Sequence, residues 1–406
     1  MHLFFCCSAH AQENHAIPIP IHDSSEHADV IIASRYNNEL DLVDIGRNIL
    51  HKGTGKRMET GQLKSKKLRV SLVPAVGYTL QTNFAGLLAS NATFYTDESA
   101  NASTILTSLT YTVRNQVILP YQTTIWTKDN KYNIVFDWRY LYFPSFTYGL
   151  GGYTSLSDGY LVNYSALNLH QAVLRRVMKN MYAGLGYNFN YYWDIREMNP
   201  PVGMLSDFAS YGYSKKDVAS GITLNFLYDT RDNPVNAEKG SFVDFIYRTN
   251  PVFLGNKAGW QSLIADIRKF ITFPEGSKNV IALWSYNWIT PGGKPPYLML
   301  PATGGDAYTN TGRGYIQGRF RGNNMLYMES EYRFRITRDG FLGGVVFANA
   351  QTFTEQASAR FETIAPGYGG GLRFKFNKFS RTSVAIDYGF GIGGSGGVFV
   401  NVGEVF

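Results

Sequence analysis

Cysteine is nearly absent: the 406 residues hold 2, Cys6 and Cys7, both in the opening Leu3-Phe4-Phe5-Cys6-Cys7-Ser8-Ala9-His10-Ala11-Gln12. That stretch reads as the end of an apolar signal-peptide core with an A-x-A cleavage site at Ala9-His10-Ala11, so residues 1–11 are expected to be a signal peptide with a shortened start. Acylation of Cys6 or Cys7 is disfavoured by the bulk of Phe5. Cleavage after Ala11 leaves no thiol, which excludes disulfides, thiolate metal sites and thiol catalysis. Long apolar runs are also missing. No stretch of about 18 apolar residues exists, which excludes a helical membrane protein but not a membrane β-barrel, where only every second residue meets lipid. Histidine is scarce: of 7, His170 alone lies beyond residue 51, and no Ser/His/acid arrangement surrounds it. An enzyme is therefore not expected.

Phosphate-loop and metal motifs fail on inspection. His51-Lys52-Gly53-Thr54-Gly55-Lys56 has the wrong spacing and follows no apolar strand, so ATP binding is rejected. Asp229, Asp232 and Asn233 lack further acidic neighbours and read as Asx-capped turn chemistry rather than calcium ligands. No cofactor and no metal are expected. The net charge of +7 and pI near 9.1 come partly from Lys52, Lys56, Arg57, Lys64, Lys66, Lys67 and Arg69. Such a run reads as a solvated face, and without a nucleic-acid motif no nucleic-acid partner is expected.

Aromatic residues are abundant at 15%, with 28 Tyr, 27 Phe and 41 Gly, a composition of pleated strands and tight bends. Residues 12–67 form a polar arm whose one patterned stretch, Glu39 to Lys52, is helix-like and stops at Gly53. From Leu68 to Phe406 the pattern becomes segments of about ten residues with period-two alternation. Sixteen strands are expected, near 68–78, 84–96, 103–113, 115–127, 132–143, 160–175, 181–195, 217–229, 240–250, 259–273, 279–289, 323–336, 340–352, 366–376, 380–390 and 396–406. In the clearest, Leu326, Met328, Tyr332, Phe334 and Ile336 share one face while Glu329, Glu331, Arg333 and Arg335 share the other. Ile222, Leu224, Phe226 and Tyr228 form an apolar face ending in an aromatic, as membrane girdles do. Connections alternate between short turns, such as Arg231-Asp232-Asn233-Pro234 and Asn377-Lys378, and long loops, above all 290–322 and 353–365. The expected fold is all-β, a transmembrane antiparallel barrel of about sixteen strands threaded as outer-membrane barrels are, with a lumen-inserting loop and both termini periplasmic.

Several motifs then fall in order. Tyr228-Asp229-Thr230-Arg231-Asp232-Asn233-Pro234 is followed by Lys239-Gly240. Arg313-Gly314-Tyr315 lies in the long loop after the eleventh strand, Glu331-Tyr332 on the strand that follows, and Phe406 ends the chain. In this combination the chain resembles the BamA/TamA-type outer-membrane superfamily, the bacterial surface antigen family of Gram-negative bacteria, over residues 68–406. The arm is too short for the stack of periplasmic POTRA domains that many members carry. The resemblance implies that the loop folds into the lumen and that Arg313 pairs with acidic groups on the wall, Glu331 first and Glu329 second. A lone guanidinium there would lose hydration that a carboxylate restores. The family's other acidic partner falls at Asn349, where a charge pair would become a hydrogen bond. Arg313 could equally serve as a brace with no transport role.

The seam between first and last strands is a second expected feature. Pro74 cannot donate to a ladder, and Gly393, Gly394, Gly396 and Gly397 pack little. In the resembled family such a seam opens toward lipid and templates incoming strands; the plainer reading is that Pro74 bulges or ends a strand. The resemblance also implies that terminal Phe406, on the lipid-facing register, serves as an insertion signal, with Glu404 a departure from that register. Two functions fit: a factor that inserts or exports other proteins through the outer membrane, or a passive channel or structural subunit of a larger envelope complex. The partners implied are outer-membrane lipid, client outer-membrane proteins, and periplasmic or envelope accessory proteins.

Overall fold

The structure, a computed structural model, describes residues 39–42, 44–45, 69–200, 205–378 and 381–406. The expected signal peptide, the basic cluster up to Lys67 and most of the arm lie outside the described residues.

Alternating sequence becomes strand along nearly the whole chain. The strands are β1 (Arg69–Thr79), β2 (Asn83–Phe94), β3 (Ser103–Thr112), β4 (Val117–Trp126), β5 (Tyr132–Tyr142), β6 (Ser145–Thr147), β7 (Tyr160–Met178), β8 (Met181–Met198) and β9 (Asp217–Asp229). They continue with β10 (Gly240–Asn250), β11 (Trp260–Thr272), β12 (Val280–Gly293), β13 (Met325–Arg335), β14 (Leu342–Phe353), β15 (Ala365–Asn377), β16 (Thr382–Gly391) and β17 (Gly396–Val402). Each pairs antiparallel with the next, except that β5 pairs with β7 while three-residue β6 lies along the start of β7. Setting β6 aside, sixteen strands form a nearly closed barrel. β6 is too short to show alternation in a sequence.

The barrel is inside-out relative to a soluble sandwich. On β13, Met328 is 66% exposed while Glu329 and Glu331, on the opposite face, are buried. Leu224 on β9, Val346 on β14 and Leu372 on β15 also point outward. Water would penalise that surface, whereas lipid accepts it, and the ladders from β1 round to β17 satisfy backbone polar groups where no water reaches them. The turn after β9 is built as the Asx reading expects. Asp232 Oδ1 accepts the Glu238 and Lys239 N–H groups, Asn233 Oδ1 accepts those of Val235 and Asn236, and Asp229 pairs with Arg231 at 2.7 Å.

The chain's end departs from expectation. The final strand stops at Val402 instead of running to Phe406, because Gly403 adopts φ +97° and turns the tail into the barrel. Phe406 is 2% exposed and stacks on Trp284, centroids 5.0 Å apart. The Arg333 guanidinium donates to its carbonyl at 2.8 Å, and Asn310 of the lumen loop donates to the Val405 carbonyl at 2.6 Å. Phe406 therefore does not occupy a lipid-facing register. Glu404 likewise lies inside, accepting from Arg373 at 2.6 Å, and this charge pair is a physical reason for the inward turn. Phe406→Ala empties a packed aromatic site and is expected to cost about 3–5 kcal/mol. Purified protein refolded in detergent micelles should lose its heat-modifiable gel shift at lower temperature; unchanged stability would show that the tail is not docked.

Near the chain termini, a short stretch ahead of the barrel lies against the turns. The Ile45 N–H bonds the Asp41 carbonyl in helical fashion, and Leu40 N–H donates to the Asp339 carbonyl. Glu39 pairs with Arg335 at 2.7 Å and Lys375 at 3.0 Å, and Asp44 with Lys378 at 2.8 Å. Burial raises the Glu39 pKa, but the hydrogen bonds and charges of Arg335 and Lys375 outweigh it and hold the carboxyl below its ordinary value of 4.5. A depressed pKa means the docking contribution is complete above pH 4.5 and is lost as pH falls below it. A cysteine at Leu42 should accordingly react faster with a pH-insensitive thiol reagent as the pH is lowered through that range; a flat profile would contradict the docking.

Candidate functional site in the barrel lumen

The site is built by the connection from β12 to β13, residues 294–324, which enters the barrel instead of standing away from it. A 3-10 turn over Tyr297–Met299 starts it, and Thr303, Asp306, Thr311, Arg313, Tyr315, Arg319, Phe320 and Arg321 are all buried. The segment carries its own hydrogen bonds: Thr303 N–H to the Phe320 carbonyl, Gly318 N–H to the Thr303 carbonyl, and Gly304 N–H to the Thr311 carbonyl. Asp306 accepts from the backbone N–H groups of Tyr308, Asn310 and Thr311. A loop that satisfies its own polar groups this way can lie buried.

At its centre the Arg313 side chain, 2% exposed, reaches three carboxylates. Nη2 donates to Glu329 and Glu331 of β13, and Nη1 donates to Asp387 of β16 at 2.7 Å. The guanidinium also lies over the Phe347 ring, 3.7 Å from its centroid. Burial alone would lower the Arg313 pKa; Glu329, Glu331 and Asp387 reverse that and keep it protonated. The contacts extend outward. Arg333 pairs with Glu331 at 2.6 Å, Arg373 with Asp387 at 2.5 Å and with Glu404 at 2.6 Å, and the Tyr327 hydroxyl donates to Glu329. Three guanidinium groups thus face four carboxylates, linking the loop, β13, β15, β16 and the tail.

Sequence reasoning placed the arginine with Glu331 and Glu329 but missed Asp387. Asn349 Nδ2 does make a hydrogen bond, but to the Arg313 carbonyl at 2.9 Å, so it holds the loop backbone while the third carboxylate comes from two strands further round. An acidic residue at an inward position of an alternating strand, Asp387 between Ile386 and Tyr388, was the available signal.

Glycine makes the close approach possible. Gly314 has φ +102°, and a Cβ there would stand 2.6 Å from the Phe390 carbonyl. Opposite it, a Cβ on Gly389 would meet the Gly314 nitrogen at 2.6 Å. Tyr315 lies against this surface, its hydroxyl donating to the Pro366 carbonyl and accepting the Ile392 N–H at 3.0 Å, with its ring 5.4 Å from Phe320.

The seam residues do not all lie where the sequence suggested. Pro74 is in β1 opposite Leu88 of β2, in a ladder running without a break from Arg69↔Thr93 to Thr79↔Asn83. Gly393 and Gly394, with φ +62° and +78°, form the turn between β16 and β17, whereas Gly396 and Gly397 begin β17. β17 pairs with β16 over Val384↔Val402 to Phe390↔Gly396, and among the described residues no ladder joins it to β1 although the two are adjacent. At Gly397 a Cβ would fall 2.3 Å from Cδ2 of Leu80, the residue that follows β1.

Residues 157–393, more than half of the chain, match the Omp85 superfamily domain. The chain belongs to the Omp85 superfamily. Omp85 barrels of known structure share its fold. BamA from Haemophilus ducreyi lacking POTRA domains 1-3 superposes with a TM-score of 0.53 at 12% identity, covering 90% of this chain and 81% of that one. CdiB from Acinetobacter baumannii gives 0.52 at 12% identity, over 81% of this chain and 56% of that one. CdiB from Escherichia coli gives 0.53 at 10% identity, over 87% and 67%. At such identities the likeness concerns fold. No curated protein matches the sequence. The Omp85 assignment places the barrel in the bacterial outer membrane.

Proposed function

We propose that this Omp85 barrel acts on other proteins at the outer membrane, helping to insert them into it or to move them across it. The observation that carries the reading is the seam. Among the described residues β1 and β17 lie side by side without a ladder, and unpaired strand edges can template an incoming strand by main-chain hydrogen bonding. The Arg313 contacts fix the loop against β13 and β16 beside that seam, so the rest of the wall stays rigid while the seam yields. On this reading both termini are periplasmic, and residues 12–67 form a periplasmic arm that recruits accessory proteins. Client outer-membrane proteins and the surrounding lipid are the partners. The test is folding of an unfolded outer-membrane barrel protein into liposomes with and without this chain. Faster folding supports the reading, and equal rates would overturn it.

A channel is the second reading, favoured by a lumen cavity of about 630 Å³ bounded by both wall and loop. Planar-bilayer recordings with and without residues 290–322 test it: conductance by the intact chain would support a channel, and conductance after loop removal alone would make the loop a plug.

A further inference from the structure

Arginines on the inner face of this barrel wall are mostly compensated by a carboxylate, and Arg248 is not; nor are Arg319 and Arg321 of the loop, which donate to Thr154 and to the Tyr297 and Leu300 carbonyls. Arg139, Arg231, Arg268 and Arg333 each pair with a carboxylate two positions earlier in the chain: Asp137 at 2.6 Å, Asp229 at 2.7 Å, Asp266 at 2.7 Å and Glu331 at 2.6 Å. Arg373 obtains the same compensation from Asp387 and Glu404. Arg248 on β10 has Ile246 two positions before it and Asn250 two positions after. Its guanidinium donates to Asn250 Oδ1 at 2.8 Å, Asn190 Oδ1 at 2.7 Å and the Asn188 carbonyl at 3.3 Å, and lies 5.0 Å from the Trp260 ring centroid. All three acceptors are neutral. Among the described residues no carboxylate lies within ion-pair distance of it.

This cation is 8% exposed and lines the lumen cavity with Asn168, His170, Asn190 and Tyr192. Arg321 of the loop lines it too, and the carbonyls of Tyr297 and Leu300 that accept from it are likewise neutral. The Tyr192 side chain lines the cavity and packs against both the cluster that holds Trp260, beside Arg248, and the cluster that holds Tyr297 and Leu300, which bind Arg321. Acidic groups bounding the same cavity are engaged elsewhere, Asp137 with Arg139, Asp266 with Arg268, and Asp306 with loop backbone N–H groups. Asp244, four residues from Arg248 along β10, is ~13 Å away by strand geometry. A guanidinium shed of water and held by neutral acceptors keeps an uncompensated charge, and its planar N–H groups suit an oxyanion.

We propose that the lumen contains a small-oxyanion site, with Arg248 as its principal ligand and Arg321, the Tyr192 hydroxyl and Asn168 around it, taking a phosphate or carboxylate group from outside the chain. The site does not depend on whether the barrel inserts proteins. The test uses the full chain folded in detergent micelles, titrated calorimetrically with inorganic phosphate and separately with acetate, against chloride at equal ionic strength. Saturable binding of phosphate or acetate is expected. Arg248→Gln should weaken it at least ~tenfold, and Arg248→Lys should fall between, since it keeps the charge but not the fork. Asn250→Asp, nearly isosteric, gives Arg248 the carboxylate its counterparts have; it should fold, resist heat better and no longer bind the anion. An exposed control, Arg360→Gln, should bind as the wild type does. No saturable binding by the wild type, or undiminished binding by both Arg248→Gln and Asn250→Asp, would overturn the proposal.

Discussion

Replacing Arg313 with alanine is expected to produce the largest loss of stability of any single substitution in the lumen. The change removes a guanidinium that faces Glu329, Glu331 and Asp387 and leaves three buried carboxylates close together. Breaking a buried pair from one side typically costs about 3–5 kcal/mol, because the charge left behind is uncompensated. The heat-modifiable shift of Arg313→Ala should therefore occur at a clearly lower temperature, and the loop should become open to protease. Glu331→Ala should also destabilise, since it takes from Arg333 its nearest carboxylate, leaving Glu404 at 3.8 Å, as well as weakening the hold on Arg313. Because the two side chains share one network, the double variant should lose less than the two single losses added, by about 0.5–3 kcal/mol. Additive losses would dissolve the pairing. Asp387→Asn should be milder toward the loop, as Arg313 keeps two carboxylates, although Arg373 loses one of its own.

The second large effect is expected at the seam. Leu80→Cys with Gly397→Cys places two thiols where β17 meets the residue that follows β1, and the Leu80 truncation makes room for the new Cβ at position 397. In a background with Cys6 and Cys7 replaced by serine, oxidation should join the strands. If incoming strands pair at this edge, the oxidised form should fail to support growth or assembly wherever the reduced form does, and reductant should restore it. Full activity with the crosslink formed would place the working surface elsewhere and favour a channel or a structural subunit.

Much of the fold is legible in the sequence, because alternation with charge on one face and Leu or Met on the other is a backbone property of a wall between lipid and lumen. The strand order, the long loop and the contacts of Arg313 with Glu329 and Glu331 all follow from local pattern or family resemblance. Other features depend on geometry that pattern does not hold. Val400, Val402 and Phe406 keep one register past Gly403, and only the charge of Glu404 within it marks the left-handed turn that sends Phe406 inward. Asp387 is two strands from the wall position where a partner was sought, and its role depends on how the loop crosses the lumen. Gly389 and Gly391 make a bare inward row on β16 that receives Gly314 and Tyr315. Such a row is visible in the sequence, yet its meaning requires the loop that fills it.

The central claim, that this barrel handles other proteins at the outer membrane, is tested most directly by depleting the chain from the cells that make it and taking an inventory of outer-membrane proteins and lipids. A set of outer-membrane or exported proteins is expected to fall in abundance, with unfolded precursors accumulating in the periplasm, and the wild-type chain should restore them. An unchanged protein inventory, with altered permeability to small solutes alone, would contradict it.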